Sequence, residues 1–165
     1  MSLIAAAPPL VRTTPPSEPA PLGTVSIGTW WPTIDLAALR DAMRLDGTIT
    51  PQRLLPAVQE AVATTVELLA TWSQRRQDEG CASLSAVPAV QVDGESVHVQ
   101  RFRRAVYCHA KANLIERYSD YDTTGRARRD DQDDARDTQA EQYRRDATWA
   151  VRDILGVTRL NVELI

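Results

Sequence analysis

Residues 99–122 read VQRFRRAVYCHAKANLIERYSDYD, and the fold turns on how that run is covered. Val99, Phe102, Val106, Ala110, Leu114 and Tyr118 recur at three- and four-residue steps, which places them on one face of an α-helix. Arg101, Arg104, Lys111 and Glu116 fall largely off that stripe, and no Gly or Pro interrupts the run. An amphipathic helix needs its apolar face covered. The cover comes from the rest of this chain or from other chains.

Two further stretches offer it. Thr50-Pro51 is a helix start, a hydroxyl cap followed by proline where no N–H partner is needed. The pattern runs to about Glu79, with Leu54, Leu55, Val58, Val62, Thr65, Leu69 and Trp72 as its stripe and Gly80 as its stop. Pro56 is expected to kink it. After Thr123-Thr124-Gly125 breaks the chain, Arg126 to Asp146 is heavily charged. Its aspartates suit the positive end of a helix dipole better than a calcium loop, because they lack the alternating spacing and glycine of an EF-hand. An apolar stripe follows at Tyr143, Ala147, Ala150 and Ile154, and Gly156 closes the helix. A shorter helix from Leu36 to Leu45, capped by Asp35 and ended by Asp46-Gly47, precedes these. Trp30-Trp31-Pro32 opens the folded part, one indole packing and the other capping an edge or meeting a partner.

Between the helices, Val87 to Val92 alternates weakly, Asp93-Gly94 is a turn dipeptide and Ser96 to Val99 reads as a returning strand. A plain loop is the alternative. Leu160, Val162 and Leu164 alternate with Arg159, Asn161 and Glu163, the period of a half-buried strand. It has no sequential partner except that hairpin, so it adds there or to a sheet on another molecule. The expected class is therefore all-α: a small bundle of three long helices and one short, with a minor β-hairpin and a C-terminal strand. Its expected core is Trp31, Leu54, Val58, Val62, Leu69, Trp72, Phe102, Val106, Ala110, Leu114, Tyr118, Ala147, Ala150 and Ile154. Residues 1–28, rich in proline, are expected to be an extended arm or a floppy tail, and 29–165 the folded domain.

The 165 residues carry a net charge of −3, which argues against a generally basic nucleic-acid binder. Arginine outnumbers lysine eighteen to one. That bias suits bidentate recognition of phosphate or carboxylate, and a GC-rich genome produces it equally. Arg101, Arg104, Lys111, Arg126, Arg128 and Arg129 are the candidates for contact with a neighbouring subunit or DNA, although acids near each group allow simple ion pairing. Cys81, Cys108, His98 and His109 match no common zinc spacing, so no metal or other cofactor is expected. No apolar run approaches the roughly 20 residues that span a bilayer. Phosphate loops, HExxH and GxSxG are absent, and a lone helical histidine lacks the positioned partner that catalysis needs. The residues describe a non-enzymatic helical interaction protein; a cytosolic DNA-binding or regulatory protein remains the alternative.

Further residues sharpen this. Trp31-Pro32 with Asp35, Met43-Arg44-Leu45-Asp46-Gly47-Thr48, Arg53-Leu54 and Leu68 with Trp72 come in order. They are followed by Arg104-Ala105-Val106-Tyr107, Ala110-Lys111-Ala112, Glu116-Arg117-Tyr118 with Asp122, Arg144-Arg145-Asp146 with Trp149-Ala150, and the ending from Arg159 through Val162-Glu163-Leu164-Ile165. In order and spacing, from about Trp30 to the end, this resembles the head completion protein (GPL) family of tailed bacteriophages. The resemblance implies a structural virion protein at the head–tail neck, assembled in the host cytoplasm after DNA packaging. It implies attachment to the portal protein as a homo-oligomeric ring of twelve, retention of the packaged double-stranded DNA by non-specific contact, and docking of other neck or tail-completion proteins. Leu160, Val162, Glu163, Leu164 and Ile165 are then the expected docking strand for portal or a neighbouring subunit, and no membrane is involved.

Overall fold

A computed structural model describes residues 22–119 and 129–157, with side chains described over 22–117 and 138–157. The 99–122 run lies largely in helix α4, Val97–Ser119, which has two long neighbours. Helix α5, Arg129–Leu155, packs along its length, and helix α2, Pro51–Leu68, packs against it as well. Over residues 97–117 only Arg104 and Arg117 are exposed. The amphipathic helix expected from the spacing is instead covered on almost every side.

The chemistry of the contacts explains this. Phe102, Val106, Ala110 and Leu114 join Leu54, Val58 and Val62 of α2 in one buried cluster, which also takes in Ala150 and Ile154 of α5. Toward α5 the buried residues are small: Ala105, Cys108 and Ala112 on α4, and Ala140, Ala147 and Ala150 on α5. Small side chains let two helix backbones approach closely, so a second face of α4 is buried without a second large apolar stripe. The Asp-rich run occupies the first turns of α5. The side chains of Tyr118 and Arg129 lie outside the described residues, as do Arg126, Arg128 and the C-terminal Leu160–Ile165 stretch.

Two elements end where the sequence did not place their ends. The helix expected from Thr50 to Glu79 is interrupted at Leu69 (φ −99°, ψ 1°), giving α2 and then helix α3, Ala70–Asp78. Pro56 sits inside α2, which continues through it. At the break Leu69 N–H is shared between Thr65 O and Val66 O, each at 3.2 Å, and the Thr65 hydroxyl donates to Ala61 O at 2.7 Å. Leu55, expected in the stripe, is exposed. Helix α1, Leu36–Ala42, stops before Asp46-Gly47. Arg44 takes the left-handed conformation (φ 49°), Arg44 N–H donates to Asp41 O, and Leu45 N–H reaches back to Arg40 O at 2.9 Å. This is a Schellman ending with arginine where glycine is usual, held by burial of Leu45. Asp35 caps α1 as expected, accepting from Ala37 and Ala38 N–H.

The β-structure is two small antiparallel hairpins. Strands β3 (Gln91–Val92) and β4 (Glu95–Ser96) pair across Asp93-Gly94, both at positive φ as a two-residue turn of this kind requires. The return is shorter than expected, because α4 begins at Val97 and takes Val97 to Val99 into helix. The other hairpin was not foreseen. Strand β1 (Thr24–Val25) pairs with β2 (Ile34–Asp35), and Val25 and Leu22 pack with the core. Residues read as part of the arm thus contribute to the folded body. Both indoles of Trp30-Trp31 pack: Trp30 meets Trp31 edge-on at 4.6 Å, and Trp31 stacks on Phe102 at 4.9 Å.

Phe102 is fully buried beneath that stack. Phe102→Ala is expected to cost about 3–5 kcal/mol, read as a lower urea midpoint, whereas Leu55→Ala should stay within about 0.5 kcal/mol.

Candidate interaction surface

Charge on a helix covered this way has to find partners within the molecule. Arg101 lies half-buried and donates from Nη1 to Asp153 O at 2.8 Å, satisfying a carbonyl in the last turn of α5. Arg103 grips Glu95 with two parallel bonds of 2.9 Å, tying α4 to the β3–β4 hairpin. Those bonds hold the Glu95 carboxyl below its ordinary range and raise the Arg103 guanidinium. Lys111 is half-buried, and burial lowers its pKa against the opposing pull of Asp46. Arg104 remains exposed, 3.8 Å from Asp146. Of the candidate contact residues with described side chains, Arg104 alone faces solvent.

The sequence reading missed two cations on α5. Arg144 bonds Glu116 across the α4–α5 pair, and Arg145 lies over the Trp149 ring at 4.6 Å. The Arg145–Trp149 contact is an i,i+4 pair within α5, whereas the Arg144–Glu116 bond follows only once α4 and α5 are known to be neighbours.

The histidines are held as neutral rings. His98 lies edge-on to Trp72 at 5.4 Å, and burial, then Arg101 and Arg76, lowers its pKa. Burial does the same for His109, helped by Arg144. His98 Nδ1 and His109 Nε2 are buried with no hydrogen-bond partner among the described residues. Burial, with Asp146 nearby, pushes the Cys108 thiol up, away from the thiolate that nucleophilic work needs. No group of three His, Cys, Asp or Glu suited to a metal ion occurs among the described residues. Cys81 and His98 do share a cleft, with Trp72, Pro88 and the end of α5, of about 410 Å³.

A second cleft, of about 450 Å³, opens between the Trp30–Thr33 turn, Ser83–Ser85 and the β3–β4 hairpin. Val90 and Val92, flanking the cleft residue Gln91, are exposed. Paired charge, a rigid aromatic turn and a bare hairpin are means of contact rather than of bond-making. The fold and its surface define a mainly α-helical interaction module.

Comparison with known proteins gives that module its family. The model of the phage head completion protein (GPL) family matches residues 25–165. The chain is also 36% identical over 136 residues to the head completion/stabilization protein of Escherichia phage P2, covering 82% of this chain and 79% of that protein. This chain belongs to the phage head completion protein family and has a structural role in completing the phage head, as a virion component. No solved structure matches it.

The depressed histidines set a sign for acid stability. Each folded pKa lies below the ordinary 6.5, so the unfolded state binds the proton more readily. Their contribution is present above pH 6.5 and is lost as pH falls through the folded values. Urea midpoints taken between pH 7 and 5 should fall. In a His98→Phe, His109→Gln double variant that slope should flatten.

Proposed function

We propose that the chain completes DNA-filled heads by attaching to the portal vertex as a ring, retaining the packaged genome and presenting the interface on which the tail or further neck proteins dock. One observation carries the reading: the family match runs to residue 165. It therefore includes the alternating Leu160, Val162, Leu164 tail as well as the helical core. An alternating segment that follows a self-sufficient bundle is suited to adding a strand to another protein's sheet. In this reading Leu160 to Ile165 dock on portal or on a neighbouring subunit.

The ring is read as twelvefold, to match the portal, and contact with packaged DNA as non-specific. Internal engagement of Arg101, Arg103 and Arg144 supports a protein partner over duplex DNA as the main contact, since cations already paired release fewer counterions on phosphate. Arg104 is the described candidate left for such phosphate contact.

Deletion of Arg159–Ile165 is expected to abolish association with particles while leaving the far-ultraviolet circular dichroism of the chain intact, because α1 to α5 end at Leu155. Normal incorporation of the truncated chain into heads would sink the docking assignment. Tight duplex binding by the isolated chain, falling steeply with salt, would favour the DNA-binding reading instead.

A further inference from the structure

The 450 Å³ cleft has a floor that cannot easily move. Trp31 is stacked on Phe102 at 22° between planes and meets Trp30 edge-on, so its ring is fixed by two aromatic neighbours. Trp30 spends its indole N–H on Cys81 O at 2.9 Å. The Trp31 ring is half-buried, and its indole N–H makes no hydrogen bond among the described residues. Pro32 extends the apolar floor, Ser83 and Ser85 supply hydroxyls at one wall, and the Arg103–Glu95 pair leaves the other wall without net charge.

A fixed indole with an unused donor, a neighbouring proline, hydroxyls and no net charge suit a polyproline II segment. Its rings lie against aromatic surface, and its carbonyls have no internal partner. The chain itself carries such a ligand. Residues 1–21, MSLIAAAPPLVRTTPPSEPAP, hold six prolines, among them the PxxP spacing of Pro16 and Pro19. Arg12 and Glu18 are their charged side chains and cancel, which matches the uncharged cleft.

Where this segment joins the fold argues for whose cleft it fills. Gly23 O accepts from Leu36 N–H at 3.2 Å, so the chain enters β1 at the α1 end of the hairpin. Trp31 and Pro32 lie beyond the other end, past the Val25–Ile34 pair. Pro19 lies four residues before Gly23, so seating the Pro16–Pro19 spacing in the chain's own cleft would need the chain to double back within residues 20–22. Extended at ~3.1 Å per residue, the segment reaches roughly 60 Å, enough to meet a neighbour. We propose that the proline-rich N-terminal segment docks as a polyproline II strand in the Trp31–Pro32 cleft of a second copy of this chain, with Trp31 Nε1 donating to one of its carbonyls. This goes beyond the head-completion reading and does not depend on the portal.

The test uses the full chain in solution. Sedimentation should show concentration-dependent self-association, and a synthetic peptide of residues 8–21 should compete it back to monomer. A Pro16→Ala, Pro19→Ala variant and Trp31→Phe, which keeps a ring over Phe102, should each weaken association by about fivefold, the factor expected for one lost donor or a less pre-formed ligand. Circular dichroism should be unchanged in both. Ser85→Trp, at an exposed wall of the cleft, should block association. Self-association that ignores the peptide and these variants would overturn the proposal by placing the contact elsewhere. A full chain that stays monomeric overturns it too; Trp31 emission altered by the proline substitutions would then assign the cleft to the chain's own segment.

Discussion

Everything described in this fold depends on α4 being enclosed. A helix exposed only at Arg104 and Arg117 over residues 97–117 cannot be the amphipathic edge of a bundle. It is the post around which α2 and α5 are set. Burial of Phe102, Val106 and Ala110 on one side supplies the hydrophobic term, while Ala105, Cys108 and Ala112 against a small-residue face of α5 supply closeness. Remove either and the other loses its support, because both faces belong to the same helix.

That enclosure also sorts the charge. Polar side chains near a covered helix carry a desolvation cost unless they are partnered. Arg101 meets a carbonyl of α5, Arg103 a carboxylate of the hairpin, and Lys111 faces Asp46. The arginine excess of this chain is therefore partly structural, holding peripheral elements to the central helix. Among the described residues, those facing outward include Arg104 and Arg117, Leu68, the hairpin residues Val90 and Val92, and the walls of the aromatic cleft. Such surfaces are compatible with a structural role in head completion.

Much of this was legible in the residues because it is local. The spacing of Leu54, Val58 and Val62, the Asp35 cap, the Gly80 and Gly156 stops and the Asp93-Gly94 turn each act over a few positions, and each is where the sequence put it. The misplacements have non-local causes. Arg44 adopts a glycine-like conformation since burying Leu45 outweighs its strain, and burial depends on what packs there. The break at Leu69 leaves the apolar spacing from Leu54 to Trp72 unchanged, so no local pattern marks it. Strand β1 was read as arm because two residues of strand leave almost no periodic signal without sight of Ile34 and Asp35 opposite. The cleft brings together the Trp30–Thr33 turn, Ser83–Ser85, the β3–β4 hairpin and Arg103 of α4, four separate stretches that no spacing rule links.

The sequence by itself determined the helical class, the order of the main helices, the apolar stripes of α2 and α4 and, through the order of its short stretches, the family. Those properties rest on hydrophobic period, caps and turns, whose physics spans a few residues. Only the tertiary structure decided that α4 is covered on nearly all sides, that Arg101 and Arg103 are engaged by α5 and the hairpin, and that Trp31 stacks on Phe102 at a cleft. Each of these depends on which helices become neighbours, and a one-dimensional pattern of apolar and charged residues does not record that.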